Sequence, residues 1–176
     1  MKERALIITI FLHALLIVTV YVFQGVIFPL MRLNGLVPLL LPIASTGIAL
    51  YEGRYTGGVA GLFAGILCDV SFNHPVGVFT VFLTVTGLIV GTLADTVILR
   101  GFVTYYISCA AVLVISAFVQ MFPLVVNPYH TIPVQSLIPI AIQQTIYSLI
   151  LALPIWFFVQ SLGRRAERTS PSGRTY

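Results

Sequence analysis

The sequence predicts an all-α integral membrane protein, built as a single bundle of about six transmembrane helices with both termini on the cytoplasmic side. Of its 176 residues, 59% are hydrophobic and 8% are charged, whereas a soluble domain carries about 25% charged residues. The mean hydropathy is +1.05. The apolar segments are about 16–27 residues long, which suits helices crossing a hydrocarbon core of roughly 30 Å better than the short strands of a barrel.

Six apolar segments follow one another with short connections. The first comes after Lys2 and Arg4 and is too long for the apolar region of a signal peptide, so we expect it to be a retained span. The second is short and interrupted by Pro38 and Pro42, which predicts an irregular start, a kink or incomplete crossing. Residues 164–176 are polar and basic and are predicted to form a disordered cytoplasmic tail. The predicted spans are 5–28, 36–51, 55–72, 76–99, 102–125 and 134–160.

The basic residues predict the orientation of this bundle. An even number of spans puts both termini on one side, and the basic residues on that side are Lys2, Arg4, Arg54, Arg100, Arg164, Arg165, Arg168 and Arg174. The opposite side has Arg32. Because basic loops stay in the cytoplasm, the termini are predicted to be inside. This distribution also explains the net charge of +4, so no nucleic-acid partner is expected.

The third and fourth segments contain the same phrase, Gly-Leu-x-x-Gly-x-Leu-x-Asp, which ends at Asp69 and again at Asp95. Residues four apart lie on nearly one face of a helix, so each copy carries a strip of glycines. Such strips let transmembrane helices approach closely. The strip is predicted to pack helices within the bundle or, alternatively, to face the helix of a partner. Its glycines are Gly57, Gly61, Gly65, Gly87 and Gly91.

The two aspartates are predicted to lie at different depths and to have different roles. The third span runs outward, which places Asp69 about 21 Å from the inner end at roughly 1.5 Å per residue. We expect its carboxylate to accept hydrogen bonds from the amides that begin the fourth span, tying down an outer turn at Pro75 and Gly77. Asp95 precedes Arg100 by about one turn, so it is predicted to pair with Arg100 or to lie among the inner headgroups.

The sequence predicts a non-enzymatic protein without a cofactor or a metal. Two carboxylates at different depths cannot share a proton as an aspartyl protease requires, since that needs about 3 Å between them. His13, His74 and His130 are scattered and show no metal-ligand spacing. There is neither a Gly-x-Ser-x-Gly motif nor a phosphate-binding loop.

Other polar and aromatic side chains are assigned structural roles. Gln143 and Gln144 lie in the middle of the last span and are predicted to bond to neighbouring helices, with ligand contact as the alternative. A group of aromatic residues near the inner ends is predicted to anchor the helices at the headgroup level. This group comprises Tyr51, Tyr55, Tyr105, Tyr106 and Trp156.

The third span and the turn after it carry a resemblance to a known family. The run Gly57-Gly-Val-Ala-Gly-Leu-Phe-Ala-Gly65-Ile-Leu-Cys-Asp69, followed by Pro75-Val-Gly77, resembles the signature of the MreD family of bacterial rod shape-determining proteins. That signature is a glycine-rich helix ending Gly-Leu-Leu-x-Asp, with a Pro-Leu-Gly turn several residues later. A proline-led, leucine-rich second span, the chain length and the six-span layout extend the resemblance. The chain departs from the pattern at Leu39, often polar or acidic in the family, and at Ile66, usually leucine.

This resemblance implies a non-enzymatic subunit of the cell-elongation complex in the bacterial cytoplasmic membrane. Its implied partners are MreC, the MreB filament and, through them, the peptidoglycan polymerase and transpeptidase, in addition to membrane lipids. The motif residues that it carries over are Gly61, Gly65, Asp69, Pro75 and Gly77. The resemblance does not decide the oligomeric state, and a homo-oligomer is one of the possibilities.

The resemblance also implies a fold similar to the substrate-binding membrane subunits of energy-coupling-factor vitamin transporters. This kinship supplies the alternative function, in which the bundle holds a small vitamin under its outer loops. Such subunits usually carry an Ala-x-x-x-Ala docking motif on the first span. Here the first span has Ala5 and Ala14, nine residues apart, so the scaffold function is preferred.

Overall fold

A computed structural model describes residues 2–28, 37–72, 77–96, 101–126 and 134–169, with side chains in 11–28, 37–71, 77–96, 101–120 and 138–161. These residues form six helices, with no strand among them, which confirms the predicted all-α class. The first helix continues into a π-helical turn at Phe23–Ile27. The helices are α1 (Lys2–Val22), α2 (Leu40–Glu52), α3 (Arg54–Phe72), α4 (Val78–Thr96), α5 (Phe102–Val126) and α6 (Val134–Thr169).

Three helical segments are long and apolar enough to cross a membrane, which indicates a membrane protein. They are Val78–Thr96, Phe102–Gln120 and Ile138–Ser161. Phe11–Ile27 and Leu40–Glu52 are also apolar but shorter. Large hydrophobic side chains lie on the outside of the bundle, among them Phe118 and Phe157, as expected where lipid replaces water as the solvent.

Helix α2 lies at the centre of the bundle. It packs against α1, α3, α4, α5 and α6, and every residue from Leu40 to Leu50 is buried. Its sequence is apolar or small on all sides, which is the pattern of a helix surrounded by protein. At 13 residues it is about 20 Å long, so the predicted short second helix is confirmed.

The start of α2 is irregular, as Pro38 and Pro42 predicted. Residues 37–39 are not helical, and Pro42 lies in the first turn, where an amide hydrogen has no partner within the helix. Side chains from two other parts of the bundle accept hydrogen bonds from the backbone amides at this helix start. Gln24 Oε1 accepts from Leu40 N at 2.8 Å and from Leu41 N at 3.0 Å.

The second contact at this helix start comes from α6. Ser148 Oγ accepts from Leu39 N at 2.8 Å, and Gln144 Nε2 donates to Val37 O at 2.7 Å. Gln144 therefore joins two segments of the bundle, as predicted, although its partner lies in the non-helical residues just before α2. Gln143 is exposed on the outside. Polar groups of α6 and of the π-helical turn after α1 thus hold the beginning of the central helix.

The prediction that Tyr105 anchors its helix at the headgroup level is wrong. Its side chain is fully buried, with its hydroxyl 3.4 Å from Ala152 O. Gly47 of α2 makes room for it, because a Cβ there would lie 3.1 Å from the Tyr105 ring. In contrast, Tyr55 is 74% exposed, and Trp156 donates to the Tyr51 hydroxyl at 3.0 Å.

Helix α6 extends beyond the predicted last span. It is 36 residues long, or about 54 Å, and continues to Thr169. The first six residues of the tail predicted to be disordered, 164–169, are therefore helical. The rest of that tail, 170–176, lies outside the described residues.

Candidate functional site: the hairpin of α3 and α4

The glycine strip lies inside the bundle, where the backbones of α3 and α4 touch. A Cβ on Gly61 would fall on the carbonyl oxygen of Leu83, and a Cβ on Gly87 would fall on that of Gly57. Gly65 meets the backbone at Phe79 and Thr80 in the same way. These contacts explain the small-residue spacing, because only glycine permits this approach.

All five predicted strip glycines take part in packing within the chain. Gly91 lies against the backbone of Gly53 and Arg54, and Gly57 lies against Ala49 of α2 as well as Gly87. The structure therefore favours the packing interpretation of the strip over the alternative in which it faces the helix of a partner.

The Asp69 carboxylate, at the end of α3, caps the start of α4. Its Oδ1 accepts from Phe79 N at 2.9 Å. Its Oδ2 accepts from Gly77 N at 2.9 Å, from Thr80 N at 3.1 Å and from Thr80 Oγ1 at 2.6 Å. The side chain is 5% exposed. This is the contact that the sequence predicted, and it satisfies amides that the first turn of a helix leaves free.

The turn before α4 requires a glycine at one position. Gly77 has a φ of +104°, which is unfavourable for a residue with a Cβ, and its carbonyl accepts from Val81 N at 2.9 Å. Gly77 thus fits the turn role that the sequence assigned to it. Pro75, the other predicted turn residue, lies outside the described residues.

The Asp95 carboxylate, at the end of α4, makes the corresponding contact with the start of α3. Its Oδ2 accepts from Arg54 N at 3.2 Å. The carboxylate also covers Gly53, where a Cβ would lie 2.8 Å from Oδ1. The predicted partner Arg100 is outside the described residues, so that pairing stays a prediction. The sequence missed Arg54 as a contact because it lies 41 residues away along the chain.

These contacts make the hairpin nearly two-fold symmetric. Adding 26 to a residue number converts the first copy of the phrase into the second, as Gly61 becomes Gly87. The exchange of the two helices, which adds 26 to Asp69 and subtracts 26 from Thr80, converts the contact of Asp69 with Thr80 N into that of Asp95 with Arg54 N. Because α3 and α4 are antiparallel, the two carboxylates lie at opposite ends of the hairpin and do not form a pair.

One further polar contact was not predicted. The His13 Nε2 atom of α1 lies 3.6 Å from Glu52 Oε1 at the end of α2, and both side chains are largely buried. The available signal was the spacing of His13 with Ile17, Val20 and Gln24, which places all four on one buried face of α1 and the π-helical turn that continues it. The contact between His13 and Glu52 is structural, since it joins α1 to the central helix α2.

The described residues contain no group of three or more His, Cys, Asp or Glu side chains that could hold a metal ion. Cys68 and Cys109 are both free and buried. The hairpin therefore consists of two helix caps on either side of a glycine contact. This arrangement fixes the position of α3 relative to α4.

Comparisons with family models, with curated proteins and with solved structures found no match.

Proposed function

We propose that this protein is a non-enzymatic, MreD-like subunit of the bacterial cell-elongation complex in the cytoplasmic membrane. It acts there with MreC, the MreB filament and the peptidoglycan polymerase and transpeptidase. The proposal includes six membrane spans with both termini inside. It rests on the resemblance of the motif at Gly61, Gly65, Asp69 and Gly77, and the four hydrogen bonds of Asp69 are the observation that supports it best.

The structure explains why each described residue of the motif is needed at its position. Gly61 and Gly65 allow the backbones of α3 and α4 to touch. Asp69 closes the hairpin at one end, and Gly77 supplies the positive φ of the turn. A motif of this kind preserves a shape and performs no reaction, which is the property expected of a scaffold.

The polar groups at the start of α2 bear on the alternative function, a vitamin-binding subunit. A small-molecule site needs convergent polar groups that are available to the ligand. Here Gln24 Oε1, Ser148 Oγ and Gln144 Nε2 already bond to the backbone at the start of α2. Those bonds serve the fold. Among the described residues, Gln24 Nε2, Ser116 Oγ and Gln120 Nε2 are buried without a hydrogen-bond partner, so our preference for the scaffold function rests on the motif and on the spacing of Ala5 and Ala14.

Depletion of the protein in its rod-shaped host would test this proposal. We expect the cells to become round and the protein to co-purify with MreC from membranes solubilised in mild detergent. A plasmid copy of the unsubstituted protein should restore the rod shape. A plasmid copy of the Gln143→Leu variant should restore it as well, because this exposed side chain does not take part in the hairpin. Unchanged cell shape, with or without a loss of vitamin uptake, would contradict the proposal.

A further inference from the structure

Three buried polar groups have no hydrogen-bond partner among the described residues. They are the Nε2 atom of Gln24, the Oγ atom of Ser116 and the Nε2 atom of Gln120. Gln24 is 2% exposed, and Ser116 is fully buried. Burying such a group without a partner is unfavourable, so each of them calls for a partner that the described residues do not supply.

Helix α6 provides a common scale for placing these groups along the bundle. Its Trp156 donates to Tyr51 near the end of α2, and its ring packs against that of Phe102, the first residue of α5. Ser148, earlier in α6, bonds to the residue before α2. Helix α5 therefore begins beside the end of α2 and runs toward its start. Ser116 comes 14 residues after Phe102, or about 21 Å, which brings it level with the start of α2.

The face of α5 that carries Ser116 and Gln120 is turned toward the central helix. These two residues are four apart and lie on nearly one face. The same face continues to Cys109 and Tyr105, which are fully buried, and a Cβ on Gly47 of α2 would lie 3.1 Å from the Tyr105 ring. Ser116 and Gln120 therefore face the bundle axis, the first at the start of α2 and the second about one turn, or roughly 6 Å, beyond it.

Gln24 reaches the same level from the π-helical turn after α1. Its Oε1 atom accepts from Leu40 N at 2.8 Å and from Leu41 N at 3.0 Å. Because both partners are donors, these bonds fix which end of the side-chain amide is the oxygen. The Nε2 atom is thus turned away from the first amides of α2, and its hydrogens are available beside the start of that helix.

We propose that ordered water occupies the bundle axis at the start of α2, hydrogen-bonded to Gln24 Nε2, Ser116 Oγ and Gln120 Nε2. All three groups are neutral, and water can accept from both amides and exchange a hydrogen bond with the hydroxyl. A buried water makes about three hydrogen bonds, which matches the groups present. The water enters from the end at which α2 begins, because α2 itself fills the axis farther along. The proposal does not depend on the proposed function.

Cysteine labelling tests the proposal on the full chain in lipid nanodiscs. Aminoethyl methanethiosulfonate modifies the thiolate, so its reaction is fast where water reaches a thiol. We expect Ser116→Cys, a nearly isosteric change, to react at least about tenfold faster than the native Cys109, which is buried on the same face about 10 Å deeper. Mass spectrometry of the peptides separates the two sites. Equal rates would overturn the proposal, and a molecule found bound by native mass spectrometry would then be the occupant instead.

A second pair of variants tests whether Gln120 and Ser116 share this water. In the Gln120→Leu background, labelling of Ser116→Cys should slow at least about threefold, because an apolar side chain no longer binds water beside residue 116. Phe118→Leu is the matched control, since Phe118 is 69% exposed on the outside of the same helix, and it should leave the rate unchanged. No slowing by Gln120→Leu, or equal slowing by both changes, would contradict the assigned site.

Discussion

Removing the Asp69 carboxylate is the most direct test of how the α3–α4 hairpin is held. In the Asp69→Ala variant, the amides of Gly77, Phe79 and Thr80 and the hydroxyl of Thr80 lose their acceptor. Loss of a helix cap costs about 0.5–2 kcal/mol, and a buried amide without an acceptor costs about 1–3 kcal/mol. Because these terms overlap, we expect a total loss of about 2–4 kcal/mol.

The measurement is the free energy of unfolding, followed by the fluorescence of Trp156 during titration with a denaturing detergent. Asp69→Asn should lose less than Asp69→Ala, because one amide oxygen can replace Oδ2, which accepts three of the four bonds. Wild-type abundance and stability of Asp69→Ala would refute the reasoning.

Three more predictions concern packing and the start of α2. Gly61→Ala should destabilise the folded bundle by about 1–3 kcal/mol or more, because its Cβ would fall on a backbone oxygen. Gly25→Ala is the control, because its Cβ meets nothing within 4 Å. Size-exclusion profiles and thermal stability should separate the two variants. Gln144→Leu should lose about 0.6–2 kcal/mol of stability, and equal losses for Gln143→Leu would contradict the assigned hydrogen bond. Gln24→Leu should lose about 1–3 kcal/mol and speed hydrogen exchange at residues 40–41; slow exchange there would mean that another group caps α2.

The positions of the helices could be predicted because they depend on local features of the chain. Long apolar segments can satisfy their backbone groups within lipid by forming helices, and Gly53 and Gly77 mark two of the boundaries. The contact of Asp69 with the start of α4 was also predictable, since its nearest donor lies eight residues away. A short connection limits the geometries that such neighbours can adopt.

The contacts between distant parts of the chain were decided by the tertiary structure. Asp95 meets Arg54 across 41 residues, and Ser148 meets the start of α2 across 109 residues. The burial of Tyr105 depends on the space beside Gly47, which no local pattern in α5 reveals. In each case the side chain alone does not specify its partner, because the partner is set by which helix faces meet.

The doubled glycine phrase shows where this division lies. By itself, the sequence determined that two helices carry matching glycine strips and that each strip ends in a carboxylate. The tertiary structure decided that the strips face each other inside the bundle, and that each carboxylate caps the helix opposite. Helical periodicity is local and can be read along the chain, whereas the choice of facing partner follows from how all six helices pack around α2.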